Sequence, residues 1–162
     1  MMKLASDALS AMGGKTLATA ESCTGGGIGS LLTAVPGASA VYKGGVISYC
    51  NEIKRDVLGV PQNLLQHYGA VSAPVAEAMA TGVLRVLQTD AAVSVTGLAG
   101  PGGDEYGNPV GTVFIGYADK QQVVSKEYHF SGDRETVRQQ AVAAALQLVI
   151  HFNQGGNNHE DH

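Results

Sequence analysis

Cysteine is scarce in this sequence, which contains only Cys23 and Cys50, far apart along the chain. Two separated cysteines form neither a CxxC pair nor a set of paired bridges. The pattern therefore excludes a metal knuckle and a disulfide framework. A reducing compartment, the cytoplasm, is the expected location.

Long apolar runs are also missing. The amino-terminal stretch MMKLASDALSAMGGK has no long apolar core followed by a cleavage site. No run elsewhere approaches the roughly 18 apolar residues of a membrane helix. We therefore expect neither export nor a membrane partner.

Positive charge is in deficit, because 10 Lys and Arg against 14 Asp and Glu give a net charge of −4 at neutral pH. An acidic chain without a basic stripe interleaved with aromatic residues is not drawn as a whole to nucleic acid. The sequence thus predicts no nucleic-acid partner. A nucleotide ligand would have to be held by a local site.

Metal-binding patterns are absent as well. The five histidines form no HExxH motif, and they do not cluster outside the polar carboxyl-terminal stretch NQGGNNHEDH. Zinc sites need a close set of Cys, His or carboxylate ligands. We predict no metal site and no cofactor, and we predict that residues 154–162 form a disordered tail.

Strands and helices alternate along residues 1–153, a length that suits one domain and is too short for two ordinary ones. The β-prone runs TLATAES, VYKGGVISYC and DAAVSVTG are separated by helical segments. After them, GTVFIGYAD and QVVSKEYHF flank a short turn as an antiparallel hairpin, and an amphipathic helix closes the domain. This order predicts a three-layer α/β/α sandwich with a mostly parallel sheet and one antiparallel strand.

A glycine-rich loop, ESCTGGGIGS, joins the first strand to a helix. The free N–H groups of the loop and the hydroxyls of Ser22 and Thr24 can hold an anion such as phosphate. Glycines here also permit tight packing of the strand against the helix. Both interpretations stay open, and the hydroxyls beside three consecutive glycines favour the anion site.

A second glycine-rich loop, SVTGLAGPGGDEYGNPVG, follows the apolar third strand. Ligands of α/β sheets usually bind at the carboxyl ends of strands, which favours a functional role for Thr96 and Gly97. The later part of the loop, residues 104–108, is typical of an ordinary surface connection.

A crowded polar turn follows the second strand, where Tyr49 and Lys54 flank the change from strand to helix. A lysine serves as a general base only if burial or a positive neighbour lowers its pKa from about 10.4 toward neutrality. A nearby serine would then be the nucleophile, with Tyr49 relaying a proton. The ordinary alternative is that Lys54 is a solvated charge on a helix.

Another serine, Ser39 in GASAV, has half of the nucleophile-elbow pattern, but Val41 stands where the second glycine belongs. No histidine is placed to act as its base. A Ser-His-Asp hydrolase is therefore disfavoured.

Four motifs, TAESCTGG, VSVTGLAGP, PVGTV and SGDRETVRQQA, follow one another over about residues 15–152. In this order they closely resemble the C-terminal domain of the CinA family, also called the competence/damage-inducible family. The resemblance implies an α/β/α fold with a five-strand mixed sheet. It also implies hydrolysis of the carboxamide of nicotinamide mononucleotide, giving nicotinate mononucleotide and ammonia, a step in the recycling of pyridine nucleotides in NAD metabolism.

The resemblance assigns catalysis to Ser39, Tyr49 and Lys54, and a serine-lysine pair suits amide hydrolysis without a metal. In this interpretation neutral Lys54 accepts the proton of Ser39 as the hydroxyl attacks the carboxamide carbon, and Tyr49 orients the lysine. The oxyanion donors are left open between backbone N–H groups near Ser39 and those of the loop with Thr96 and Gly97.

Substrate binding is implied for Ser22, Thr24, Gly25, Gly26, Thr96 and Gly97, together with an arginine of GDRETVR. A planar guanidinium suits phosphate because it forms paired hydrogen bonds. Arg134 and Arg138 lie four residues apart near the start of the last helix, on one side of it. We prefer Arg138 for the phosphate, with Arg134 paired to a neighbouring carboxylate.

Two functions from different classes remain at this point. The leading one is an amidohydrolase that acts on a small-molecule nucleotide. The alternative is a non-catalytic nucleotide-binding module that regulates a partner in competence or the DNA damage response, which predicts binding without turnover. The oligomeric state is open, and a homo-oligomer is one expectation because domains of this size often pair through an outer helix.

Overall fold

A five-strand sheet with helices on both faces forms the computed structural model of the protein, which describes the backbone of residues 1–160 and the side chains of residues 1–154. The strands, which lie in the spatial order β2-β1-β3-β4-β5, are β1 (Leu17–Glu21), β2 (Tyr42–Ile47), β3 (Ala91–Gly97), β4 (Thr112–Asp119) and β5 (Val123–His129). The helices are α1 (Met2–Ala11), α2 (Gly27–Thr33), α3 (Asn51–Asp56), α4 (Gln62–Tyr68), α5 (Ala73–Leu87) and α6 (Arg134–Glu160). The predicted disordered tail, residues 154–162, overlaps the carboxyl-terminal part of α6, and its side chains after residue 154 lie outside the described ones, so its disorder stays a prediction.

The sheet is mixed, and β4 is the strand that opposes the others. The interior strand β1 pairs in parallel with β2 and β3, whereas β4 pairs antiparallel with β3 and β5. Parallel neighbours need a crossover connection, and antiparallel ones need only a tight turn, so helices separate β1, β2 and β3 while β4 and β5 form a hairpin. The predicted three-layer α/β/α sandwich with its five-strand mixed sheet is confirmed.

Alternate residues of β1 serve the two layers of helices. Leu17 belongs to the apolar cluster that the sheet forms with α1, α2 and α6. Ala18 and Ala20 face the other side, where they pack in the cluster that includes residues of α5. Successive side chains of a strand point to opposite faces, and helices cover both, so this interior strand is buried along its whole length.

The parallel strands bring their carboxyl ends to one edge of the sheet. Ser22 directly follows β1, Ser48 directly follows β2, and Gly97 ends β3. Because β1 lies between β2 and β3, Ser22 is at the centre of this edge. Ligands of α/β sheets bind in crevices at such an edge.

Membrane insertion finds no support among the described residues, where every helix is too short or too polar to cross a bilayer.

Candidate functional site

A cleft of about 310 Å³ opens at the carboxyl ends of β1, β2 and β3. Small-ligand pockets span roughly 300–1,000 Å³, so this cleft suits a small molecule. The charged residues that line it are Lys54 and Arg134, and the described lining residues include no Asp or Glu. The cleft is therefore suited to an anionic ligand. A larger groove of about 380 Å³ lies elsewhere, against β5 and α6.

Lys54 is buried beneath this cleft, with 1% of its surface exposed, although it belongs to the short polar helix α3. Its Nζ lies 2.9 Å from Ser22 Oγ, 2.7 Å from the Ser48 carbonyl oxygen and 3.4 Å from the Tyr49 carbonyl oxygen. An ammonium has three N–H donors, and each of these oxygens can accept one. The alternative of a solvated surface lysine is wrong.

Burial sets the charge state of Lys54. Desolvation disfavours the ammonium and lowers the pKa of Lys54 to about 8. Ion pairs among the described residues do not include Lys54. At neutral pH an appreciable fraction of a lysine with this pKa is a neutral amine, which is the form that can accept a proton.

Ser39 is not part of this arrangement. It lies in an exposed single 3-10 turn, Ala38–Ala40, which precedes β2, whereas Lys54 follows the same strand. The six-residue strand β2 lies between Ser39 and Lys54 in the sequence and spans about 20 Å at roughly 3.3 Å per residue. The two side chains are therefore at opposite ends of this strand. The pairing of Ser39 with Lys54 is therefore wrong, and the serine within reach of the lysine is Ser22.

Tyr49 and Arg134 meet at the mouth of the cleft. Arg134 donates hydrogen bonds from Nη1 to the Gly100 carbonyl oxygen at 2.6 Å and from Nη2 to the Tyr49 hydroxyl at 3.2 Å. Tyr49 is 63% exposed, and only its carbonyl oxygen contacts Lys54. The tyrosine hydroxyl is thus bonded to an arginine and is not a partner of the lysine.

The glycine-rich loop after β1 holds a carboxylate of its own chain. Glu21 is 2% exposed, and its carboxylate accepts hydrogen bonds from Thr24 Oγ1 at 2.6 Å, from the N–H of Ile28 at 2.8 Å and from the N–H of Gly29 at 3.0 Å. The Thr24 hydroxyl, one of the donors that the sequence suggested for a phosphate, is therefore already used. The structure does not bring the Thr24 hydroxyl into the cleft.

Arg138 lies on the far side of the same loop. It donates from Nε to the Cys23 carbonyl oxygen at 3.0 Å and from Nη2 to the Thr24 carbonyl oxygen at 3.3 Å. It lines a separate cavity, against α2, rather than the cleft. Gly25 packs against the Arg138 guanidinium, and Gly26 faces the side chain of Ile47. Gly25, Gly26 and Arg138 are thus placed outside the cleft.

The second loop contributes the opposite wall. Thr96 and Gly97 both line the cleft, where Thr96 is buried and its hydroxyl donates to the Ala70 carbonyl oxygen at 2.8 Å. A side chain at Gly97 would meet Val113 Cγ2 at 2.6 Å, so this position requires glycine. Of the predicted residues, the structure brings six together: Ser22, Tyr49, Lys54, Thr96, Gly97 and Arg134.

Some site residues were missed. The carbonyl of Ser48 is a partner of Lys54, and the Ser48 hydroxyl is a buried side-chain atom that has no hydrogen-bond partner among the described residues. Asn51, the first residue of α3, lines the cleft, and Cys50 precedes the helix as its N-cap. Glu21, the one charged residue of the buried strand β1, was the available sequence signal for the hydrogen bonds that hold the loop.

Metal ligation has no candidate set in the part of the chain that is described, since no three His, Cys, Asp or Glu side chains there are grouped to hold an ion. Cys23 borders the cleft, and burial raises the pKa of its thiol to about 11. The thiol is therefore protonated at neutral pH and a poor nucleophile.

The fold and the site define an α/β/α domain that carries a buried serine-lysine pair in a positively charged cleft. The model of the CinA C-terminal domain matches residues 1–152, and the chain belongs to this family.

Relatives in this family share much of the sequence. A CinA-like protein of Synechococcus is 61% identical over 114 residues, which cover 69% of this chain and 27% of the relative. One of Geobacter metallireducens is 50% identical over 133 residues, which cover 82% of this chain and 32% of the relative. The chain thus spans about a third or less of the length of these relatives.

Solved structures share the fold over nearly the whole chain. A CinA superfamily protein of Klebsiella pneumoniae is 36% identical with a TM-score of 0.90, and the match covers 93% of this chain and 95% of that one. The competence/damage inducible protein CihA of Agrobacterium tumefaciens is 38% identical with a TM-score of 0.90, over 94% of both chains.

Proposed function

We propose that the protein is an amidohydrolase that converts nicotinamide mononucleotide to nicotinate mononucleotide and ammonia, with Ser22 as the nucleophile and Lys54 as the base. The observation that carries this proposal is the 2.9 Å distance between Ser22 Oγ and the buried Lys54 Nζ. An activated serine beside a neutral amine is a known solution for acyl transfer. The substrate comes from the resemblance of the sequence motifs.

The hydrogen bonds of Lys54 suit a base. A neutral amine has two N–H groups and one lone pair. The two N–H groups can stay on the carbonyl oxygens of Ser48 and Tyr49, which leaves the lone pair toward the Ser22 hydroxyl. Lys54 then takes the hydroxyl proton while Ser22 Oγ forms a bond to the carboxamide carbon, and the carbonyl oxygen becomes an oxyanion.

The second half of the reaction uses the same lysine. When the tetrahedral intermediate collapses, the bond between carbon and nitrogen breaks and protonated Lys54 gives its proton to the departing amine, so that ammonia leaves. Water then attacks the nicotinoyl ester of Ser22, with Lys54 again taking a proton and returning it to Ser22. The products are nicotinate mononucleotide and the free enzyme.

Arg134 is the residue that we assign to the substrate phosphate. It lines the cleft, it is exposed, and its two observed hydrogen bonds use Nη1 and Nη2 once each, which leaves N–H groups for a ligand. Arg138, which the sequence favours for the phosphate, instead donates to backbone carbonyls and lies outside the cleft. The cleft without carboxylates also suits a ligand with a phosphate group.

The test is ammonia release from the purified protein with nicotinamide mononucleotide, compared with free nicotinamide. Ser22→Ala should abolish release, and Ser39→Ala is the matched control that should keep it, since Ser39 lies at the opposite edge of the sheet. Activity that survives in Ser22→Ala but not in Ser39→Ala would overturn the assignment. Binding of the mononucleotide by calorimetry with no ammonia from the wild type would instead favour the regulatory module.

A further inference from the structure

In the proposed function, on which this inference rests, attack by Ser22 places a negative charge on the former carbonyl oxygen. That oxyanion needs hydrogen-bond donors. The N–H groups of Cys23 and Thr24 directly follow the nucleophile. Within the described part of the chain no oxygen accepts a hydrogen bond from either, whereas the N–H of Gly25 donates to the Ser22 carbonyl oxygen and that of Gly27 to the Thr24 carbonyl oxygen. In nucleophile elbows the N–H after the nucleophile is an oxyanion donor.

Arg138 bonds the carbonyl side of the Cys23–Thr24 peptide group, which carries the Thr24 N–H, and of the next peptide group along the loop. Its Nε donates to the Cys23 carbonyl oxygen at 3.0 Å and its Nη2 to the Thr24 carbonyl oxygen at 3.3 Å. A trans peptide group is planar, so its C=O and N–H point in opposite directions. Fixing the Cys23 carbonyl therefore fixes the Thr24 N–H, and the positive charge of Arg138 draws electron density from the same peptide group, which makes its N–H a better donor.

The two faces of the loop are separate. Arg138 and Thr24 line a cavity of about 330 Å³ on the side of α2 and α6. Ser22 and Cys23 line the cleft on the other side. The guanidinium thus lies behind the loop, where it can reach the carbonyl oxygens but does not line the space for the substrate.

A second contact holds the loop at the same residue. The Thr24 hydroxyl donates to the buried Glu21 carboxylate at 2.6 Å, while the Thr24 carbonyl accepts from Arg138. Gly25 has a φ of +58°, and a Cβ there would lie 3.4 Å from Arg138 Nη2. The loop is therefore clamped by an acid on one side and by a guanidinium on the other.

We propose that Arg138 is a positioning residue that orients the Cys23–Thr24 peptide group, so that the Thr24 N–H joins the Cys23 N–H as a donor to the oxyanion formed on attack by Ser22. Arg138 acts through the backbone and does not contact the substrate. The loss of Arg138 should therefore weaken stabilisation of the transition state and leave ground-state binding nearly unchanged.

The test is steady-state kinetics of ammonia release for Arg138→Ala, with Gln139→Ala as the control on the same helix, because among the described residues the Gln139 side chain bonds Glu135 alone. Removing one oxyanion donor lowers kcat by about 10²–10³, so a misaligned hole should lower kcat by at least about tenfold. KM should stay within about threefold. Guanidinium ion added to Arg138→Ala should restore part of kcat, and Arg138→Lys, which keeps the charge on a single donor group, should give an intermediate kcat.

Three results would overturn the inference. A kcat within about twofold of wild type in Arg138→Ala would remove the positioning role while leaving the proposed function intact. A rise in KM with unchanged kcat would make Arg138 a substrate-binding residue instead. A wild-type protein that releases no ammonia would contradict both this inference and the proposed function. If Arg138→Ala does not fold, the same criteria apply to Arg138→Lys.

Discussion

Lys54 Nζ lies 2.9 Å from Ser22 Oγ, although the two residues are 32 positions apart in the sequence. The lysine follows β2 and the serine follows β1, so the parallel pairing of these two neighbouring strands brings them to one edge. The contact is buried and places a base with a lowered pKa beside a hydroxyl.

Replacement of the base should abolish turnover. Lys54→Met keeps an unbranched apolar stem but removes the amine, and kcat should fall by about 10²–10⁴ because general-base catalysis contributes that much. The measurement is ammonia release together with calorimetric binding, which should change by less than about tenfold. Lys43→Ala is the control, since exposed Lys43 bonds the Ser39 carbonyl oxygen, far from the cleft, and no other described residue. Full activity in Lys54→Met would remove the serine-lysine mechanism.

The pH dependence should follow the neutral form of Lys54. The base is active when deprotonated, and burial lowers its pKa to about 8, so kcat/KM should rise about tenfold per pH unit below pH 8 and level off above it. The measurement is kcat/KM from about pH 6 to pH 9.5. A rate that keeps rising to pH 10 would mean an ordinary, solvated lysine, and a flat profile would mean that Lys54 does not titrate in the reaction.

Loss of the cleft arginine should affect binding more than chemistry. Arg134→Ala should raise KM for nicotinamide mononucleotide about tenfold with kcat changed little, because hydrogen bonds to charged groups contribute about 1.5–3 kcal/mol and this side chain is exposed. The comparison is with nicotinamide riboside, which lacks the phosphate. If the variant loses as much toward the riboside as toward the mononucleotide, Arg134 does not bind the phosphate.

The loop clamp should appear in the stability of the domain. Glu21→Gln replaces a carboxylate that accepts three hydrogen bonds with an amide whose NH₂ faces donors, and the free energy of unfolding should fall by about 2 kcal/mol. Urea unfolding measures this change. Glu52→Gln, at an exposed position of α3, should change it by a few tenths. Equal effects of the two substitutions would argue against the clamp.

The fold could be read from the sequence because its signals are local. Alternating β-prone and helical runs predict parallel pairing with crossovers, and the short connection between the last two runs predicts the hairpin of β4 and β5. The place of the cleft is also predictable from the sequence, since Tyr49, Thr96 and Gly97 follow or end strands whose carboxyl ends meet. Ser39 precedes β2 and therefore belongs at the opposite end of the strand.

Two parts of the site could not be read in this way. Arg134 and Arg138 are four residues apart on one helix, and only the packing of α6 against the loop after β1 decides that the first enters the cleft and the second reaches the Cys23 and Thr24 carbonyls. Likewise, the sequence favours the Thr24 hydroxyl as a phosphate ligand, whereas in the folded loop this hydroxyl donates to the Glu21 carboxylate.

The sequence by itself determined the order of the elements, the mixed α/β/α sheet and the edge at which the polar residues gather, because helical and strand periodicities and strand direction are properties of the local chain. The tertiary structure alone decided which serine meets the lysine, which arginine faces the ligand and that burial lowers the pKa of Lys54. These depend on side-chain distances and desolvation between segments far apart in the chain, which local patterns do not specify.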